Sequence, residues 1–167
     1  MKKHIPAILV ATLFILYFLY FSSRYTLAYP PGESACLDAS FFLIDKWDVD
    51  IEQGDLAYFE MNVENQFYPT GLRWIKKVAG MPNSLVSVEE NRVVVDNLKE
   101  FPLSLSHIIT SLNLSNNSIG EIEDYTKKIQ LENDEVFMIG ETINSFDGRF
   151  WGPLKKEQIK GTAYAIF

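Results

Sequence analysis

Arg73-Trp74-Ile75-Lys76-Lys77-Val78-Ala79-Gly80-Met81-Pro82 places two lysines inside a stretch that otherwise reads as a buried β-strand ending in a turn. An ammonium taken out of water loses several kcal/mol of solvation, so burial favours the neutral amine. A neutral amine is a general base. Strand alternation sends Lys76 and Lys77 to opposite faces, so at most one points inward while the other reaches solvent along its apolar stem. Taken alone, the stretch reads more plainly as two solvated lysines on an edge strand. The remainder of the chain shifts that reading, because it adds a nucleophile, an orienting hydroxyl and an apolar amino-terminal segment.

The 167 residues are 47% hydrophobic and 14% aromatic. That suffices for one domain with its own core plus an anchoring segment. A net charge of −7 argues against nucleic acid, because a phosphate-binding face needs clustered lysine and arginine. One cysteine permits no intramolecular disulfide, and with two histidines it shows no metal-ligand spacing. Neither a metal nor a cofactor is expected.

Met1-Lys2-Lys3-His4 precedes an uncharged apolar run over residues 5–21. As a helix this run reaches about 25 Å, slightly short of the ~30 Å hydrocarbon core, with Tyr20, Phe21 and Tyr25 suited to the interface. Residues 1–24 are therefore expected to be a single membrane-spanning anchor, with the leading lysines on the cytoplasmic side and residues 29–167 exported. A cleavable signal peptide is the alternative, with Thr26-Leu27-Ala28 as its small-residue site. Tyr29-Pro30-Pro31-Gly32 cannot be helix and reads as a spacer. Cys36 follows, in Glu33-Ser34-Ala35-Cys36-Leu37-Asp38, ahead of a stretch at Ala39-Ser40-Phe41-Phe42-Leu43-Ile44-Asp45-Lys46 that reads as a buried strand. Its thiol is either a small buried hydrophobe or a nucleophile that a nearby lysine would activate.

Gly54-Asp55 reads as a turn before a strand at Leu56-Ala57-Tyr58-Phe59-Glu60-Met61. Residues 85–89 and 91–96, rich in valine, predict a hairpin. Over residues 98–128 the pattern weakens and predicts an insertion or flap, with Asp124-Tyr125-Thr126-Lys127-Lys128 a short helical piece. Leu112-Asn113-Leu114-Ser115-Asn116-Asn117-Ser118-Ile119 resembles one leucine-rich repeat, but no second copy exists to stack on it. A strand at Glu135-Val136-Phe137-Met138-Ile139-Gly140 leads into Ser145-Phe146-Asp147-Gly148-Arg149. Ser145, Asp147 and Arg149 recur every second residue and in an extended segment would share one face, where the ion pair holds Ser145. On its own that motif reads as a polar turn with a surface ion pair worth under ~1 kcal/mol. A last strand is expected near Ile159-Lys160-Gly161-Thr162-Ala163-Tyr164-Ala165.

Together these blocks resemble the signal peptidase I superfamily, and within it the TraF-like peptidases of conjugative transfer systems. The resemblance rests on the lysine stretch and on Ser145-Phe146-Asp147-Gly148-Arg149-Phe150-Trp151-Gly152, with Gly54-Asp55 a weaker match. It implies a mainly antiparallel β-domain at the bacterial inner membrane, single-pass, with a cytoplasmic amino terminus and a periplasmic domain. It also implies cleavage of exported precursors after small residues by a hydroxyl/lysine dyad. Lys76 matches the general base, Ser145 the hydroxyl that hydrogen-bonds it, and Asp147 with Arg149 the supporting ion pair. Where the family has serine followed closely by proline, this chain has Cys36-Leu37-Asp38-Ala39. Cys36 is then the nucleophile and Ser34 an oxyanion donor, or the two roles are reversed. The resemblance implies a precursor protein as partner, a conjugative pilin or another transfer-apparatus component, together with membrane lipid. The alternative is a catalytically inactive module serving in pilus or transfer-system assembly.

Overall fold

The computed structural model describes residues 5–29, 36–65, 67–114 and 119–167. In chain order the elements are α1 (Ile5–Arg24), β1 (Tyr25–Ala28), β2 (Phe42–Asp45), β3 (Leu56–Met61), β4 (Leu72–Gly80), β5 (Leu85–Val88), β6 (Val93–Val95) and β7 (Lys99–Phe101). They continue with α2 (Leu105–Leu114), α3 (Ile122–Tyr125), β8 (Lys127–Gln130), β9 (Glu135–Ile139), α4 (Gly148–Trp151), β10 (Leu154–Lys155) and β11 (Ile159–Ala165). The strands form a seven-stranded sheet, β1-β2-β11-β3-β4-β9-β10, and a four-stranded sheet, β7-β6-β5-β8. All pairings among the described residues are antiparallel, so the fold is mainly antiparallel β.

The lysine strand β4 is not at an edge. It lies between β3 and β9, with Ala57 opposite Lys76 on one side and Ile139 opposite Lys77 on the other. A central strand covered on both sides takes its side chains out of water, and this is why Lys76 is 1% exposed. The neighbouring strand β9 explains how the two sheets join. Strand alternation sends Phe137 and Ile139 into a core with Val86, Val88, Val93 and Leu105, while Val136 and Met138 face a second core with Phe59, Met61 and Val78. A third, smaller core holds Leu37, Phe42, Ile44 and Ala163. Gly54 takes φ +105° in the turn before β3, a conformation that favours glycine.

Three expectations change: the spanning helix, the strand over 39–46 and the place of the short helix. Within the expected anchor, Ile5–Arg24 form a helix, α1, but among the described residues no helix is long and apolar enough to cross a membrane. The apolar run ends at Phe21, and Ser22, Ser23 and Arg24 complete the last turn with polar groups. The strand expected over residues 39–46 is confined to Phe42–Asp45, because the Ser40 and Phe41 N–H groups donate instead to the Phe167 carbonyl. Residues 98–128 contribute β7, α2 and α3, and Leu103, Leu105, Ile109 and Ile119 are buried in the first core. The short helix there precedes the expected position and gives way to β8 at Lys127. The charged tetrapeptide 1–4, the Pro30-Pro31-Gly32 spacer, Ser34 and residues 115–118 lie outside the described residues.

Candidate active site

The stretch leaving β9 folds back over β4, and this brings Lys76 its partner. Lys76 Nζ donates to Ser145 Oγ at 2.7 Å across 69 residues of sequence, with Ser145 fully buried. Among the described residues no carboxylate forms an ion pair with Lys76. Its amine also lies 5.1 Å from the Trp74 ring centroid. A buried amine with a hydroxyl neighbour and no counter-ion is the arrangement a general base requires.

Asp147 and Arg149 close this returning loop. Arg149 Nε and Nη2 donate to Asp147 at 2.8 and 3.0 Å, and both side chains are wholly buried. Asp147 accepts the Gly140 N–H at 2.8 Å, while Arg149 Nη2 and Nη1 donate to the carbonyls of Ser145 and Ser104. The pair therefore links the start of the loop, its Ser145 turn and the segment before α2. The sharing of one extended face is corrected here. Residues 148–151 form a helical turn, Asp147 caps it by accepting the Arg149 N–H, and the ion pair is local to that turn. The surface ion pair of the plainer reading is likewise absent, because the guanidinium is held on all sides by carboxylate and carbonyl oxygens.

Cys36 sits beside this construction. Its carbonyl accepts the Glu141 N–H at 2.7 Å, and Leu37 is buried in the third core. Gly140 lies between the two halves: a Cβ there would stand 2.0 Å from Ser145 Oγ and 2.7 Å from the Cys36 carbonyl oxygen. Only glycine permits that approach. Cys36 and Lys76 line one open cavity of about 470 Å³, together with Tyr58, Tyr68, Trp74 and Phe146. Burial pushes the Tyr68 hydroxyl above its ordinary range, and the Cys36 thiol adds to the effect. Lys76, Ser145, Asp147 and Arg149 thus meet as one network, and Cys36 shares a cavity with Lys76.

Three residues without an assigned role lie next to this network. Lys77 Nζ donates to Glu141 Oε1 at 2.6 Å, and Asn144 lines the cavity. A contact across 64 residues leaves no local pattern in the sequence. The nearest signal was the alternation that separates Lys77 from Lys76.

The fold and site define a β-protein with a buried lysine/hydroxyl pair opening on an apolar cleft. The chain belongs to the family described as signal peptidase, peptidase S26, whose model matches residues 1–167. It is thereby a hydrolase of the signal peptidase kind by family. No curated protein matches the sequence. Among solved structures, the chain is similar to a signal peptidase I from Enterococcus faecalis V583 at 17% identity and a TM-score of 0.42. That match covers 68% of this chain and 96% of the other.

Proposed function

We propose that the protein is a membrane-associated endopeptidase that cleaves exported precursors with Cys36 as nucleophile and Lys76 as general base. The observation that carries this reading is the buried 2.7 Å Lys76–Ser145 hydrogen bond, with Lys76 lining the cavity that Cys36 also lines. The Lys76 amine takes the thiol proton, and the thiolate sulfur attacks the scissile carbonyl carbon. The resulting ammonium returns its proton to the leaving amine nitrogen as the C–N bond breaks. Lys76 then activates water to hydrolyse the thioester. Ser145 orients the amine, and Ser34 serves the oxyanion, a contribution typically worth about 3 kcal/mol.

The TraF-like assignment, with a conjugative pilin or other transfer-apparatus precursor as substrate, is supported by the chain's size and its nucleophile segment. The exposed apolar side chains of α1, such as Phe14 and Phe18, support contact with lipid at the inner membrane, with the β-domain on the periplasmic side.

Processing of a candidate pilin precursor in cells carrying wild type, Cys36→Ala, Cys36→Ser, Ser34→Ala or Lys76→Ala tests the reading. Cys36→Ala and Lys76→Ala are expected to abolish processing, and Ser34→Ala to slow it about a hundredfold. Normal processing in all the variants would replace the enzyme with a binding module that retains the fold.

A further inference from the structure

Glu141 makes more contacts to the nucleophile segment than any role assigned so far requires. Its backbone N–H donates to the Cys36 carbonyl at 2.7 Å, and the Thr142 N–H reaches the same oxygen at 3.4 Å. Its carboxylate turns back on the same segment, where Oε2 accepts the Asp38 N–H at 3.2 Å. The other carboxylate oxygen accepts from Lys77 Nζ at 2.6 Å. Glu141 therefore grips the chain on both sides of Leu37, whose side chain is sunk in the third core.

We propose that Glu141, braced by Lys77, is a positioning residue that fixes the Cys36–Asp38 segment against β4 and keeps the thiol within reach of Lys76. The inference rests on the Cys36–Lys76 reading above. Successive residues of β4 divide the work by strand alternation: Lys76 serves Ser145 in the site, and Lys77 holds the brace on the opposite face. The Lys77 and Glu141 side chains are 32% and 25% exposed, so solvent screens this pair less than a surface ion pair. Burial alone would raise the Glu141 carboxyl, but the Lys77 bond and the Asp38 N–H outweigh it and hold the group below its usual range. The brace is therefore ionised at neutral pH. Charge-assisted hydrogen bonds of this kind fix geometry better than neutral ones.

Because the chain has one cysteine, iodoacetamide alkylation of the full-length protein reports Cys36 alone. The measured quantity is the slowing of alkylation at neutral pH caused by Lys76→Met, in the wild-type background and in each brace variant. In the wild-type background the slowing is expected to be roughly tenfold. In Glu141→Ala and Lys77→Met it should shrink below about twofold, and Lys77→Arg, which keeps the ion pair, should restore it. A merely structural brace would leave the Lys76 dependence intact while lowering the melting temperature. Undiminished dependence in both brace variants overturns this inference and leaves the dyad standing. No dependence in the wild-type background removes the dyad and this inference with it. Lys77→Met retains the strand and its apolar stem, so it carries the test should Glu141→Ala fail to fold.

Discussion

At the scale of the residue, the molecule depends on charges placed where water is absent. The Asp147–Arg149 pair is wholly buried, yet every oxygen and nitrogen described for it has a partner, and these bonds shape the loop that delivers Ser145 to Lys76. Breaking a buried pair leaves an uncompensated charge, which costs more than the pair itself contributes. Asp147→Asn is therefore expected to lower unfolding stability by about 3–5 kcal/mol in urea titrations. A loss below about 1 kcal/mol would place the pair among ordinary surface ion pairs. The sequence supplied both residues and their partnership, because their types and spacing match the family motif. It did not supply their burial, which follows from Gly140 at the start of the loop and Ser104 from a distant part of the chain closing over them.

At the scale of the element, the junction between α1 and the sheet is held by Arg24 and Asp45. Arg24 Nε and Nη2 donate to the Asp45 carboxylate at 2.6–3.0 Å, and the Tyr20 and Trp47 rings meet edge to face at 5.4 Å. The Arg24 bonds hold the Asp45 carboxyl below its usual range, against the upward push of burial and with help from the Trp47 N–H. Since the folded value is depressed, the stabilisation is complete above the unfolded value near ~3.9 and is lost as pH falls through the folded value. Amide exchange over residues 20–28, corrected for intrinsic rates, should accelerate on acidification below about pH 4. Asp45→Asn should show the faster exchange already at neutral pH and little further change in acid. Equal exchange in the two proteins at pH 7 would assign the junction to ring packing alone. The helix itself was legible in the apolar run, whereas the Arg24–Asp45 contact, 21 residues apart, was not.

At the scale of the whole molecule, the apolar surface is unevenly distributed. Three cores lie within the sheets, while Phe14, Leu16 and Phe18 of α1 stay more than half exposed. An exposed apolar face of this kind marks an interaction surface for lipid or another protein. The full chain is expected to sediment with phosphatidylcholine vesicles, and Phe14→Glu with Phe18→Glu to release most of it into the supernatant. Unchanged sedimentation of the double variant would remove α1 as the lipid contact. The sequence by itself determined the strand-rich class, the valine hairpin, the apolar amino-terminal helix and the residue types of the lysine and Ser145 motifs. Those are properties of local periodicity, β-propensity and motif spacing, which act over a few residues. Only the tertiary structure decided that β4 is a central strand and that Lys77 and Glu141 grip the Cys36 segment. These facts depend on strand order and on contacts across 64 to 103 residues, where no periodicity survives to announce them.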